Sequence, residues 1–237
     1  MEPQDGLEAE QPVASLEASL EATLKAPVLR VQNVVATFSL GCKNLNLRLI
    51  ASRLRFLEYN PHKFAAATLR VVKGDGQRTT GLIFGSGNVV CTGAKNAADA
   101  RFACRTIVNI FQKCNVKVSF HNFRIQNIVG STGLTVPIKL QELHHQYSAY
   151  TSYESSLFPG LVFRLRNKIC FLLFRSGRLV VTGGKTEEQL HKYWNAFYHL
   201  VLTKYMDLDN DLRCSSEYRI QNEKNKYSMS FFYDALK

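Results

Sequence analysis

The sequence predicts an α+β protein built from two copies of one half-domain, each an antiparallel sheet with helices on one face. Three observations predict it. Val31–Gly41 (VQNVVATFSLG) is echoed by Ile125–Leu134 (IQNIVGSTGL), so that Asn33 returns as Asn127, 94 residues on. The echo then continues in order. Phe64 in KFAA returns as Phe158 in LFPG, Leu82-Ile83-Phe84 as Leu172-Leu173-Phe174, and VCTGAK ending at Lys95 as VVTGGK ending at Lys185. The offset falls from 94 to 90 within one loop, where Lys73–Arg78 (KGDGQR) faces the shorter Arg166-Asn167-Lys168. Length changes belong in hairpin turns, and Gly-Asp-Gly is turn chemistry. Finally, hydrophobic spacing gives each copy the order strand, helix, three strands, helix, strand, and helices on one face of an antiparallel sheet make an α+β layer.

The elements follow in order. Residues 1–27, rich in Glu, Ala and Ser, read as an acidic disordered arm with a transient helix. The first repeat spans 28–121. Its strand 29–40 alternates, with Val31, Asn33, Val35 and Thr37 on one face and Gln32, Val34, Ala36 and Phe38 on the other. Leu47, Ile50, Leu54 and Leu57 are spaced for a helix over 46–59, which Asn60-Pro61 ends. Strands start near Ala66, Thr79 and Asn88. Asn96 is placed to cap a helix burying Phe102, Ile107, Ile110 and Phe111, and a strand over 116–120 closes the repeat. The second repeat spans 122–204. It has a strand over 123–131, a short helix after Pro137, strands near Leu161, Ile169 and Arg178, and a helix over 187–204 burying Leu190, Trp194, Phe197 and Val201. Residues 205–237 lack periodicity apart from an apolar knot at 229–233. They read as a mobile tail, with a partner-binding segment as the alternative.

Charge narrows the function. The formal net charge is +11, but it is unevenly held. Residues 28–204 carry 24 Lys and Arg against seven acids, while both flanks are net acidic. A basic body suits a polyanion, nucleic acid first and an acidic membrane second. No apolar run is long enough to span a membrane. The six cysteines form no C-x-x-C pair and read as free thiols in a reducing compartment, nuclear or cytoplasmic. The six histidines have no matching Cys or carboxylate constellation, so no metal or other cofactor is expected. No P-loop, nucleophile elbow or paired acid appears, which argues against an enzyme.

One face of the predicted sheet stands out. Ile83, Val89, Cys91 and Val181 alternate toward the helices. Leu82, Phe84, Val90, Thr92, Leu172, Phe174, Val180 and Thr182 alternate away from them, on a face that no helix is left to cover. A large apolar face rimmed by basic residues marks a binding site.

These segments closely resemble the TATA-binding protein family. The QN-[VI]-V strand, EYNPHKFAA, IFGSG and LFRSG, VCTGAK, YESSLFPGLVFR and VVTGGK stand in order and in duplicate over about residues 29–204. The resemblance implies a saddle. Two pseudo-symmetric repeats would form a curved ten-stranded antiparallel sheet with its concave side on DNA and four helices on the convex face. It implies a nuclear transcription initiation factor that binds A·T-rich promoter DNA from the minor groove and nucleates a pre-initiation complex. Its partners would be transcription factors IIA and IIB, TBP-associated factors and the RNA polymerase machinery. The same resemblance assigns roles. Phe64, Phe84, Phe158 and Phe174 would intercalate. Asn33 and Asn127 would donate to base acceptors, flanked by Thr92 and Thr182. Val35, Val129, Leu82, Leu172, Val90, Val180 and Pro159 would form the apolar floor. Arg70, Arg164, Ser86, Ser176, Lys95 and Lys185 would touch phosphates, and Glu154, Ser156, Leu157, Arg101, Arg105 and Lys113 would meet protein partners.

The chain also departs from the family pattern. Asn88 stands for a Lys, Thr106 and Asn109 stand for basic residues, and YESSLF puts Ser156 where the family has a carboxylate. These changes fall away from the DNA face and leave two alternatives open. One is a related factor with specialised promoter or polymerase use. The other is an adaptor that has lost DNA binding, against which the four kept phenylalanines argue.

Overall fold

The computed structural model describes residues 25–207 and 230–236. Ten strands form one antiparallel sheet: β1 (Arg30–Ser39), β2 (Leu57–Glu58), β3 (Ala66–Val72), β4 (Arg78–Phe84), β5 (Asn88–Ala94), β6 (His121–Gly133), β7 (Thr151–Ser152), β8 (Gly160–Arg164), β9 (Cys170–Phe174) and β10 (Arg178–Gly184). Their order is β2-β3-β4-β5-β1-β6-β10-β9-β8-β7, which reads the same pattern outward from β1 and β6. The helices are α1 (Leu47–Arg53), α2 (Ala97–Lys113), α3 (Leu140–Gln146), α4 (Glu187–Leu200) and α5 (Ser230–Leu236), with a 3-10 turn at Leu202–Tyr205. The fold class is α+β, as read, with a fifth helix beyond the four expected.

The chain divides into two compact units: residues 30–131 with 182–190, and residues 132–181 with those before 30 and from 191 on. The units cut across the sequence repeats. β6 opens the second repeat, but it pairs with β1 through Val35↔Asn127 and Asn33↔Val129, and so belongs mostly to the first unit.

In the first unit, alternation buries Val34, Ala36 and Phe38 of β1, and Phe38, Ile83, Val89 and Cys91 form a core with Ala103, Cys104, Ile107 and Phe111 of α2. The expected cap is in place, with Asn96 Oδ1 accepting the Asp99 N–H at 2.7 Å. Three expectations need correction. The helix over 46–59 stops at Arg53. Leu54 turns extended and Leu57–Glu58 joins β3 as an edge strand, although Leu47, Ile50, Leu54 and Leu57 are all buried as the spacing required. Phe102 is not buried but 49% exposed, because Ala100, Ala103, Cys104, Ile107, Val108 and Phe111 define the inward face of α2 and Phe102 lies off it. Residues 116–120 are no strand. They form an extended link, held by Ser119 N–H on the Leu40 carbonyl at 2.9 Å and by the Gln112 amide on the Val118 carbonyl at 2.9 Å.

In the second unit, Phe197 of α4 stacks on Phe171 of β9 at 4.0 Å and meets Phe163 of β8 edge-on at 5.1 Å. Trp194 is buried, and its indole N–H donates to the Pro27 carbonyl at 2.8 Å, tying down the residues before β1. Of the tail read as mobile over 205–237, only residues 205–207 and 230–236 are described, and there the reading is corrected. Residues 202–205 form the 3-10 turn, and Ser230–Leu236 form a helix with Phe232, Ala235 and Leu236 buried. No periodicity foretold it, since seven residues give too few turns for a face to repeat. The acidic arm over 1–24, the segment 208–229 and Cys214 lie outside the described residues.

Burial ranks these aromatics. Phe197→Ala is expected to cost about 3–5 kcal/mol of stability, as core Phe truncations do, whereas Phe102→Ala should fall within about 0.5 kcal/mol of the parent. Chemical denaturation of the two variants measures both, and equal midpoints would contradict the packing described.

Candidate nucleic-acid interface

The sheet face away from the helices is built by alternation. Asn33 and Val35 of β1, Leu82 and Phe84 of β4, Val90 and Thr92 of β5, and Asn127 and Val129 of β6 are all half-buried, between fully buried neighbours on most of these strands. In the second unit Leu172, Phe174 and Val180 take the same positions on β9 and β10. Apart from its Asn and Thr residues this set is apolar.

Two asparagines interrupt it, and their orientation is fixed. Asn33 Oδ1 accepts the Gly93 N–H at 2.7 Å and the Thr92 hydroxyl at 3.2 Å. Asn127 Oδ1 accepts the Gly183 N–H at 2.8 Å and the Thr182 hydroxyl at 3.2 Å. With the oxygen occupied by a backbone donor, the amide NH2 is the end left to present. Asn33 Nδ2 makes no hydrogen bond among the described residues, while Asn127 Nδ2 donates one proton to Thr182 Oγ1 at 2.9 Å. Each threonine therefore serves as a partner that steadies its amide.

The backbone donors come from a repeated irregularity. Gly93 and Gly183 stand at φ of 99° and 97°, a region that side chains disfavour. At Gly93 the ladder between β1 and β5 slips by one residue between Val34↔Ala94 and Ala36↔Cys91, and a Cβ there would lie 2.9 Å from the Arg78 carbonyl oxygen. Such a bulge re-aims the chain locally. Sequence reasoning missed these glycines as site residues, although Thr-Gly is part of the repeated motif.

At the edge of each unit an aromatic pair stands out of the apolar face. Phe64 and Phe84 meet edge-on at 6.3 Å, and Phe158 and Phe174 at 6.0 Å. Phe64 is 50% and Phe158 46% exposed, which is high for rings so large. Gly160 makes room for the second pair, since a Cβ there would lie 2.6 Å from the Phe158 ring and 3.1 Å from Phe174. Pro159 is exposed between them in sequence.

The expected phosphate contacts sit around these residues. Arg70 and Arg164 extend from the open side of β3 and β8, Ser86 and Ser176 lie in the hairpin turns, and Lys95 and Lys185 follow β5 and β10; all six are exposed. Arg70 is ion-paired with Glu58, so in the unbound protein it is partly neutralised. A cleft beside Phe84 and Val90, lined also by Thr37, Asn122, Arg124 and Gln126, adds polar groups that the repeat pattern did not single out. Gln126 donates to Thr37 Oγ1 across β6 and β1 at 2.7 Å.

The positions expected to meet proteins are exposed, but several are engaged. The Ser156 hydroxyl, at 2.6 Å, and its backbone N–H both bond to Glu154 Oε1, which holds that carboxyl below its usual range. Leu157 is 86% exposed. Arg101 lies over the Phe123 ring at 4.7 Å and Arg105 over Phe120 at 5.9 Å, while Lys113 ends α2. Among the described residues no group of three or more His, Cys, Asp or Glu is placed to hold a metal. Five cysteines there are free thiols, of which Cys91 and Cys104 are buried.

Comparison with known proteins agrees with this geometry. Residues 28–114 and 122–204 match the family model described as transcription factor TFIID, or TATA-binding protein. The chain is 45% identical over 176 residues to the TATA-box-binding protein of Acetabularia peniculus, covering 74% of this chain and 90% of that one. It is 42% identical over 194 residues to TATA-box-binding protein 1 of Arabidopsis thaliana, covering 81% and 92%. Among solved structures it resembles the Methanococcus jannaschii TBP with a TM-score of 0.62 and 31% identity, over 73% of this chain and 97% of that chain.

The amide geometry yields a test. Asn33→Ala and Asn127→Ala should each weaken binding to A·T-rich duplexes by roughly 1–3 kcal/mol, the worth of a base-edge contact. Binding to random duplexes should change far less. Fluorescence anisotropy on both duplexes measures this, and equal losses on the two would contradict the reading role.

Proposed function

The chain belongs to the TATA-binding protein family, and we propose on that premise that it is a transcription initiation factor that binds TATA-like A·T-rich promoter DNA in the minor groove. The observation that carries this reading is the duplicated amide: Asn33 and Asn127, on adjacent strands, each with its oxygen held by a backbone N–H, which leaves both Asn33 N–H groups and one from Asn127 to present on an otherwise apolar face. The minor groove offers only acceptors at A·T pairs, the adenine N3 and thymine O2, and G·C adds the protruding guanine N2 donor. An amide donor on an apolar floor matches the first pattern. It opposes the second, because the guanine N2 would be buried without a partner at roughly 1–3 kcal/mol. Val35, Val129, Leu82, Val90, Leu172 and Val180 supply that floor, with Pro159 beside it.

The aromatic pairs supply the deformation. Phe64 with Phe84, and Phe158 with Phe174, act as wedges that unstack a base step, one pair in each unit, in a mode for which this family is itself the type example. Arg70, Arg164, Ser86, Ser176, Lys95 and Lys185 hold the phosphates, which positions the protein without reading sequence. Arg70 must trade Glu58 for a phosphate, so its contribution is smaller than that of Arg164. The protein acts in the nucleus, and recruits transcription factors IIA and IIB, TBP-associated factors and polymerase machinery through the Glu154–Leu157 segment and α2.

A specialised form of this role is favoured by one group of contacts. Ser156 occupies the Glu154 carboxylate that would otherwise face a partner, and Thr106 turns its hydroxyl back to the Phe102 carbonyl at 3.0 Å. With Asn109 also uncharged, α2 offers Arg101, Arg105 and Lys113 alone. This protein therefore holds transcription factors IIA and IIB more loosely than a family member with charge at those positions.

The wedge role is tested on bound DNA. The Phe158→Ala/Phe174→Ala variant should remove one of two kinks and lengthen the fluorescence end-to-end distance of an A·T-rich duplex. An unchanged distance in the double variant would rule the role out.

A further inference from the structure

The two repeats close one equivalent place in different ways. In the first, the hairpin over 73–78 is long, and Lys73 Nζ reaches Asp99 Oδ1 of α2 at 2.6 Å. In the second, the turn Arg166–Lys168 is shorter. There α5 packs against the turn. The Arg166 N–H donates to the Ala235 carbonyl at 3.0 Å, and Phe232 is fully buried with its ring 6.3 Å from Phe197. Phe231 meets Tyr193 edge-on at 5.2 Å, with the Lys192 ammonium 4.0 Å above its ring. None of this segment lies in the family match, which ends at residue 204.

We propose that the side of α4 carrying Lys192, Tyr193 and Phe197, together with the Arg166–Lys168 turn, forms a helix-docking groove whose ligand is residues 230–236 of this same chain, held as an exchangeable latch. The chemistry of the ligand is explicit. Phe232, Ala235 and Leu236 fall at i, i+3 and i+4, the anchor spacing of an amphipathic helix laid into a groove. Seven residues do not hold a helix alone, since isolated helices shorter than about 12–15 residues are marginal in water. Helix and contact therefore form together. The 22 residues between the described segments tether the ligand. Joining ligand and groove in one chain makes the contact intramolecular, with an effective concentration on the order of millimolar for short linkers. The contact is thus filled within one molecule, and a separate peptide of the same aromatic-x-x-Ala-Leu pattern, supplied in excess, takes it when the chain's own segment cannot.

The test uses hydrogen exchange on the full chain. Relative to the parent, the Phe231→Ala/Phe232→Ala variant should exchange at least about tenfold faster at the Arg166 amide and in the peptides around Tyr193, as for loss of a local cooperative unit. β1, β4 and β5 should keep their protection, and affinity for an A·T-rich duplex should be unchanged. Adding a synthetic peptide of residues 226–237 should restore the protection in trans. Two results would overturn the proposal: equal exchange in parent and variant, which means the helix is not seated, or lost protection that the peptide leaves uncorrected, which makes these aromatics fixed core.

Discussion

Two backbone N–H groups, those of Gly93 and Gly183, decide which way the Asn33 and Asn127 amides face. An asparagine side chain is nearly symmetric in shape, and its two ends differ only in hydrogen-bonding sense. Hold the oxygen at 2.7–2.8 Å from a backbone donor, and the donor end is left to be presented. The discrimination proposed for the sheet face depends on that choice, because a minor groove of A·T pairs offers acceptors and nothing else. The glycines are needed for the same reason. A bulge at φ near +98° turns the N–H toward the amide, and at Gly93 a Cβ would press on the Arg78 carbonyl. A few conformational choices in the Thr-Gly motif thus set the chemistry of the strands beside it.

Duplication explains why so much of this surface is apolar. Each repeat carries the same alternation, so one set of side chains enters the core under the helices and the other is left half-covered. Such a face is costly unless something covers it. In the proposed function a deformed minor groove provides the cover, with the deformation assigned to Phe64/Phe84 and Phe158/Phe174. Differences between the repeats matter as much as their likeness. The second hairpin is four residues shorter, and its Arg166 N–H is taken by a helix that the family match does not contain.

The legible part of the site was legible because it was written twice. Asn33 and Asn127, the threonines beside them and the four phenylalanines repeat at fixed offsets, and strand alternation assigns the face of all but Phe64 and Phe158, which precede β3 and β8. Other features left weaker traces. Phe102 satisfied a helical spacing but fell just off the inward face of α2, since spacing cannot choose between adjacent stripes when both carry apolar residues. Leu54 and Leu57 were buried as expected but by a turn and an edge strand, because burial does not specify which backbone delivers it. Residues 116–120 alternated like a strand yet found their backbone partners in Leu40 and a Gln112 side chain. α5 was invisible because its seven residues owe their helix to the groove they occupy. Ion pairs such as Arg70 with Glu58 join residues far apart in sequence, and no pattern announces them.

The central claim is that amide donors on an apolar floor read A·T pairs by donating to their minor-groove acceptors and excluding the guanine N2 group. Inosine separates these terms, since an inosine·cytosine pair has the acceptors of A·T and lacks that amino group. The deciding measurement is the affinity for three duplexes that differ at one central pair: A·T, G·C and inosine·cytosine. The account predicts that the inosine duplex binds like the A·T duplex, while the G·C duplex is weaker by roughly 1–3 kcal/mol. Inosine and guanine duplexes of equal, weakened affinity would contradict it.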